Sequence, residues 1–383
     1  MRADSWEGAD PAPAVDGRCA PRFHLVGEAF ADVVASGRAG SALAIWHDGR
    51  MVVDLWGGRA GCGSGQRWER DTLVMPYSVS KPFAAVCALL LVQRGLLVLD
   101  APAQRYWPEL TCDATVRQIL DHTAGLVLLD EPAPTSAFFD WSELCARLAR
   151  QRPAWVPGSA VGESALFYGH LVGELVRRID GRSLGTFLRQ EICRPAGLDV
   201  HVGLSAVDLP RVVDLVATPR FPRPGGGPLS AAAASNPPGA HDTDVVNSTP
   251  WRQAEIPAVN AHVTARAVAE FYALLAGGHV LHRDLVAEMT TVQAAGVDAV
   301  TGRDVRWGLG VGVEPDGWGM GGIGGSLGMW SDEGGYAYGF VAAELDDHGR
   351  ADRLENVLRS CLGLPRSDAH GQRTPPVLQS CSP

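Results

Sequence analysis

S-V-S-K-P-F-A-A-V-C-A-L-L-L-V-Q-R-G, Ser78 to Gly95, is the stretch on which the reading of this chain turns. The chain carries 33 Lys plus Arg, and Lys81 is the single lysine among them. Arginine keeps its proton at any workable pH, whereas a desolvated lysine can drop towards neutrality and handle a proton. A lysine kept at one place, where arginine meets every other need for positive charge, points to chemistry. Ser78 lies three positions earlier, and on a helix positions i and i+3 share a face, so Oγ and Nζ can meet. The stretch reads as an activated serine nucleophile with an amine partner. The bland alternative is a surface lysine at a helix start. The apolar run Pro82 to Val92 predicts a buried core helix, with Pro82 tolerated in its first turn and Gly95 ending it. It is too short to span a bilayer.

A length of 383 residues predicts two domains or one large two-lobed unit. Hydrophobic content of 46% with 20% charged residues is globular. The net charge of −10 argues against nucleic acid or an anionic membrane as partner. Eight cysteines are scattered without C-x-x-C spacing, and the histidines show no metal-ligand pattern. Free, mostly buried thiols in a reducing cytosol are expected, with no metal or other cofactor. The first residues, M-R-A-D-S-W-E-G-A-D-P, lack an apolar core, so no secretion leader is expected and the reading is cytoplasmic. Oligomeric state is not legible.

Residues 1–22 and 364–383 read as disordered tails around a catalytic domain at 23–363. Apolar runs Ser41 to Trp46 and Met51 to Trp56, joined by His47-Asp48-Gly49-Arg50, predict a hairpin. Helical periodicity covers Asp113 to His122, Glu163 to Asp180, Thr264 to Gly277 and Ala351 to Leu362. Strand-like runs cover Trp307 to Val313, Gly325 to Trp330 and Tyr336 to Ala343. Between about 210 and 250 a Pro/Gly/Ala-rich segment predicts a lid or a flexible insertion. Strands at both ends with helices between them imply an α+β sheet part, about 23–70 and 290–363, with an inserted helical part, about 71–289.

S-V-S-K, H-T-A-G-L (His122 to Leu126), W-V-P-G (Trp155 to Gly158) and G-G-I-G-G-S (Gly321 to Ser326) occur in an order that resembles the serine β-lactamase and family VIII esterase superfamily, near its class C branch. The likeness covers roughly residues 23–362. It implies a five-stranded antiparallel sheet flanked by helices, an all-helical subdomain, and Ser78 at the N-terminus of a central helix at their junction. The helix dipole and the Ser78 N–H would favour a developing oxyanion. The resemblance puts the second oxyanion donor near Ile323, with Gly322 letting substrate approach the strand. It also implies a structural role for His122.

Two positions depart from the pattern. Five residues after Pro157-Gly158 the family places a tyrosine, and this chain has Glu163. Glu163 reads either as a carboxylate base replacing that phenol or as a helix N-terminal carboxylate held by the dipole. Tyr168 is the other candidate phenol, and its register favours a core aromatic. On the strand, family members show K-T-G or H-x-G, where this chain has Met320-Gly321-Gly322. The group that would bind a β-lactam carboxylate is missing there.

The resemblance implies acyl transfer through Ser78, with a small ester as donor and water, an amine or an alcohol as acceptor. Its superfamily contains esterases and acyltransferases, among them amide-forming transacylases of capuramycin-type nucleoside antibiotic pathways. The altered motifs, and a lid with nearby Trp141 and Trp251 excluding water, tilt the expectation towards a transacylase of natural-product biosynthesis over an esterase. A binding protein descended from an enzyme is the reading from another class.

Overall fold

The computed structural model describes residues 14–60, 66–221 and 226–367. Its strands are, in chain order, β1 (Val15–Cys19), β2 (Ser41–His47), β3 (Arg50–Gly57), β4 (Val200–His201), β5 (Val216–Ala217), β6 (His262–Val263) and β7 (Ala294–Val297). The rest are β8 (Asp304–Trp307), β9 (Gly312–Glu314), β10 (Gly317–Gly321), β11 (Leu327–Ser331), β12 (Tyr336–Ala342) and β13 (Glu344–Leu345). One antiparallel sheet runs β1-β3-β2-β12-β11-β10-β9-β8-β7. It holds nine strands among the described residues rather than five. A long central group, β3-β2-β12-β11-β10, is widened by β1 at one edge and by the short β7–β9 at the other.

The β2–β3 turn follows the sequence expectation. Asp48 and Gly49 both take positive φ, 49° and 73°, as a two-residue hairpin loop matched to strand twist requires. Strand β12 is buried along its whole length because both sheet faces are covered. On one face Leu43, Ile45, Tyr338 and Phe340 pack with Phe30 and Leu354, from the helices His24–Ser36 and Gly349–Leu362. The opposite face meets Val268 and Ala269 of the helix Ala265–Ala276. That helix lies on the sheet, so the helical part does not extend unbroken to residue 289.

The helix Lys81–Gln93 is buried from Lys81 through Leu91, as its uninterrupted apolar run predicts. A 3₁₀ turn, Tyr77–Ser80, leads into it. No helix among the described residues is long and apolar enough to cross a membrane.

Several expectations need correction. Residues 15–19 are not part of a loose tail, since Val15 to Cys19 pair with Gly57 to Val53. At the other end Leu364 packs on the core and Ser367 N–H donates to Asn356. The expected tail segments 1–13 and 368–383 lie outside the described residues. The segment near 210–250, apart from 222–225, which are also outside them, carries short helices at Ser230–Ser235, Thr243–Val246 and Thr249–Gln253. The helix expected from Glu163 begins at Tyr168. Of the eight cysteines, Cys19, Cys87, Cys112, Cys145, Cys193 and Cys361 are described and free; Cys62 and Cys381 lie outside the described residues.

Burial holds His122, His170 and His262 down, each to about 3 from the ordinary 6.5. The unfolded chain binds protons at these rings below about pH 6.5 while the native state refuses them, so their stabilising contribution is complete above that pH and erodes as pH falls towards 3. Each should cost about 2 kcal/mol between pH 7 and pH 5. Urea denaturation at both pH values checks this, and His170→Phe should flatten the slope.

Candidate active site

Ser78 sits in the 3₁₀ turn directly before the buried helix, and the turn is pinned from three sides. Tyr77 adopts φ +49°, unusual for a non-glycine residue, and its hydroxyl donates to Ala240 O at 3.2 Å. Ser80 Oγ accepts from the Ala261 N–H at 3.0 Å. On the third side stands the end of β10: a Cβ at Gly322 would lie 1.9 Å from Pro76 O and 3.5 Å from Ser78 N. Only a residue without a side chain lets the strand come this close. Gly322 spends its own N–H on Ser326 O at 2.8 Å, and Ile323, the next residue, lies on the cleft wall.

Lys81 Nζ, fully buried, lies 2.7 Å from Ser78 Oγ, 2.9 Å from Glu163 Oε1, 3.0 Å from Ala165 O and 3.3 Å from Ala258 O. Ser78 Oγ is in turn 3.3 Å from Glu163 Oε1. The two carbonyls can only accept, so Lys81 must donate to them whatever its protonation state. Burial pushes Lys81 below an ordinary lysine, and the Glu163 carboxylate partly holds it up. Burial is the largest single influence on Glu163 and would raise it; the charge of Lys81, the weaker influence of His122 and the hydrogen bonds from Lys81 and Ser78 together outweigh it and keep the carboxyl below the usual range. The three polar atoms form a closed triangle, with Lys81 Nζ in contact with both the serine hydroxyl and the carboxylate.

Glu163 is not a helix-terminal carboxylate, because the helix starts five residues later. It is held by its backbone: its N–H donates to Asp298 Oδ2 at 2.8 Å, while Asp298 Oδ1 accepts from Val300 and Thr301. Asp298, fully buried, was not picked out from sequence, although an Asp opening the turn D-A-V-T-G is a recognisable pattern. His122 stands behind Glu163. Its Nδ1 accepts from the Ser164 N–H at 3.2 Å, and the ring packs on Tyr168 and Trp307. Its depressed pKa keeps it neutral, which agrees with the structural role expected for it.

A cleft of about 310 Å³ opens over Ser78 and Glu163, with Leu166, Trp307, Trp318 and Met320 among its walls. Of the remaining sequence candidates, three lie elsewhere. Tyr168 is buried in the helical part and donates to Leu120 O at 3.3 Å. Trp141 Nε1 donates to Glu174, and its ring lies on His170. Trp251, fully buried, packs against Phe138 and points its Nε1 at Met75 Sδ. Trp251 fills core, Trp141 packs half-buried against it, and neither lines the cleft, so neither takes the water-excluding place expected of it. Trp307, Trp318 and Val259, which do line the cleft, had no distinguishing sequence pattern.

Gly322→Ala should push β10 off the nucleophile turn. We expect labelling of Ser78 by a fluorophosphonate to slow by about 100-fold or more while the fold persists; labelling at the parent rate would show that the close approach is dispensable.

The family model described as "Beta-lactamase" matches residues 26–359. Over 415 aligned positions the chain is 30% identical to "Esterase/beta-lactamase LipL" of Mycobacterium tuberculosis (strain ATCC 25618 / H37Rv), covering 97% of this chain and 94% of that protein. Among solved structures, a family VIII carboxylesterase superposes with TM-score 0.84 at 31% identity, covering 91% of this chain and all of that one (100%). A penicillin-binding protein homologue from Caulobacter crescentus gives the same TM-score of 0.84 and 31% identity, over 91% of this chain and 100% of its own. With its fold, its Ser-x-x-Lys turn and its cleft agreeing with these matches, the chain belongs to the β-lactamase family of serine enzymes and is esterase-like within it.

Proposed function

We propose that this protein cleaves small, uncharged carboxylic esters through an acyl group carried on Ser78. The observation supporting this is the contact set of Ser78 Oγ, Lys81 Nζ and Glu163 Oε1, none more than 3.3 Å apart, at the base of an apolar cleft. Glu163 takes the hydroxyl proton as Oγ bonds to the ester carbonyl carbon, and Lys81 remains an ammonium that stabilises the developing negative charge. The Ser78 N–H, with the backbone at Ile323, receives the oxyanion. Collapse breaks the bond to the leaving alkoxide, which recovers the proton from Glu163. An incoming acceptor then gives its proton to Glu163 as it bonds to the acyl carbon, and the bond from that carbon to Ser78 Oγ breaks as Glu163 returns the proton to Oγ. With water as acceptor the product is a free acid. The names borne by the two full-length relatives, an esterase/β-lactamase and a carboxylesterase, support this reading. Apolar Met320 weighs against β-lactams, whose carboxylate would find no partner on that strand.

A second reading, transfer to an amine or alcohol as in natural-product assembly, is favoured by the apolar wall of Leu166, Val259, Trp307 and Trp318, which suits an organic acceptor. Incubation with p-nitrophenyl butyrate followed by intact-mass measurement tests both. We expect a butyryl adduct on Ser78, with free butyrate as the product; amide forming in preference to acid when an amine is added would support transfer. No adduct on Ser78 in any condition would defeat both.

Lys81→Arg and Glu163→Gln should each slow ester turnover by about 100- to 10,000-fold. The pH profile should fall on the acid side below the range of a free glutamate and on the alkaline side below that of a free lysine, following the two depressed groups.

A further inference from the structure

If β10 offers the substrate only Met320, any polar anchor must come from another element. Arg303, Asp304 and Arg306 reach the cleft but are exposed, so water competes for them. His241 differs. It lines the cleft from the loop between the helices Ser230–Ser235 and Thr243–Val246. Its ring stacks on Tyr77, beside the nucleophile, with centroids 6.3 Å apart and planes 10° from parallel. Phe221 flanks it at 6.4 Å, and Ala240, its neighbour in sequence, holds the Tyr77 hydroxyl. The ring is therefore fixed relative to Ser78.

One of its two nitrogens, Nδ1, is buried and has no hydrogen-bond partner among the described residues. A buried N–H without an acceptor costs more than an unused lone pair, so the proton belongs on Nε2. Since Nδ1 is sealed in the wall, Nε2 is the nitrogen left to meet the cleft. Burial also pushes the ring's pKa down, which keeps it neutral. The result is a fixed, uncharged N–H donor in an apolar surrounding, where a hydrogen bond discriminates more sharply than at an exposed rim.

We propose that His241 Nε2 donates a hydrogen bond to an oxygen in the acyl part of the substrate, so that the cleft selects acyl groups bearing an ether, keto or hydroxyl oxygen over plain alkyl chains. The inference rests on Ser78 acylation, and its test separates the two. Two matched pairs serve as probes: p-nitrophenyl 3-methoxypropanoate with the valerate, and p-nitrophenyl 4-oxopentanoate with the hexanoate. The ratio of kcat/KM within a pair is compared between the parent and His241→Phe, so that intrinsic ester reactivity cancels. His241→Phe retains the stacking on Tyr77 and loses the donor.

We expect the preference for at least one oxygen-bearing ester to fall by about tenfold in His241→Phe, chiefly through KM, with plain-ester rates within about threefold of the parent. His241→Gln, which restores a donor, should recover part of it. Ratios unchanged in both variants would overturn the proposal and leave acylation standing. An equal loss for all esters would assign the ring a packing role and also overturn it. Absence of Ser78 acylation by every probe would overturn the acylation reading and this inference with it.

Discussion

Everything at the centre of this molecule is arranged around one buried lysine amine. Lys81 has no access to water, and a lone charge there would be prohibitively unstable. It is tolerated because four oxygens surround it, from Ser78, Glu163, Ala165 and Ala258. These come from three separate stretches of chain, so the lysine ties the nucleophile turn, the loop before the Tyr168–Asp180 helix, and the segment leading to the Ala265–Ala276 helix to one point. The same contacts that make the ion bearable set up the chemistry. The carboxylate that neutralises it is also within reach of the serine, and the carbonyls fix the direction of the amine.

That arrangement separates this chain from its family's usual pattern. A phenol opposite lysine is neutral until it gives up a proton, whereas Glu163 is already charged and already paired. In the mechanism proposed above, the proton acceptor and the positive charge are distinct groups, Glu163 and Lys81. Asp298 holds the Glu163 backbone through its N–H, and His122 packs nearby as a neutral ring.

The contact between Ser78 and Lys81 was legible from sequence because two independent facts met in four residues, the single lysine and its helical spacing from Ser78. Glu163 was legible through its distance from Pro157-Gly158, but its setting was not. The periodicity of V-G-E-S-A-L-F-Y extends a helix back to it, while the hydrogen bonds that hold it in a loop come from Asp298, far along the chain. β1 escaped notice for a related reason: V-D-G-R-C has weak strand character, and its pairing with β3 supplies what local sequence lacks. Trp141 and Trp251 were misplaced because composition marks a large aromatic without giving its depth. His241 lay in a segment where Pro and Gly erase periodicity, and only the folded chain shows it against Tyr77.

The pairing of β2 with β12 carries a consequence for how the protein comes to exist. Ser41 faces Ala342 across that ladder, with the whole helical part between them in sequence. The early hairpin of β2 and β3 therefore emerges from the ribosome long before its neighbour, with one open, strongly apolar edge available for wrong associations. Synthesis to the final strands is needed before that edge can be closed, so the topology itself places completion of the sheet at the end of translation.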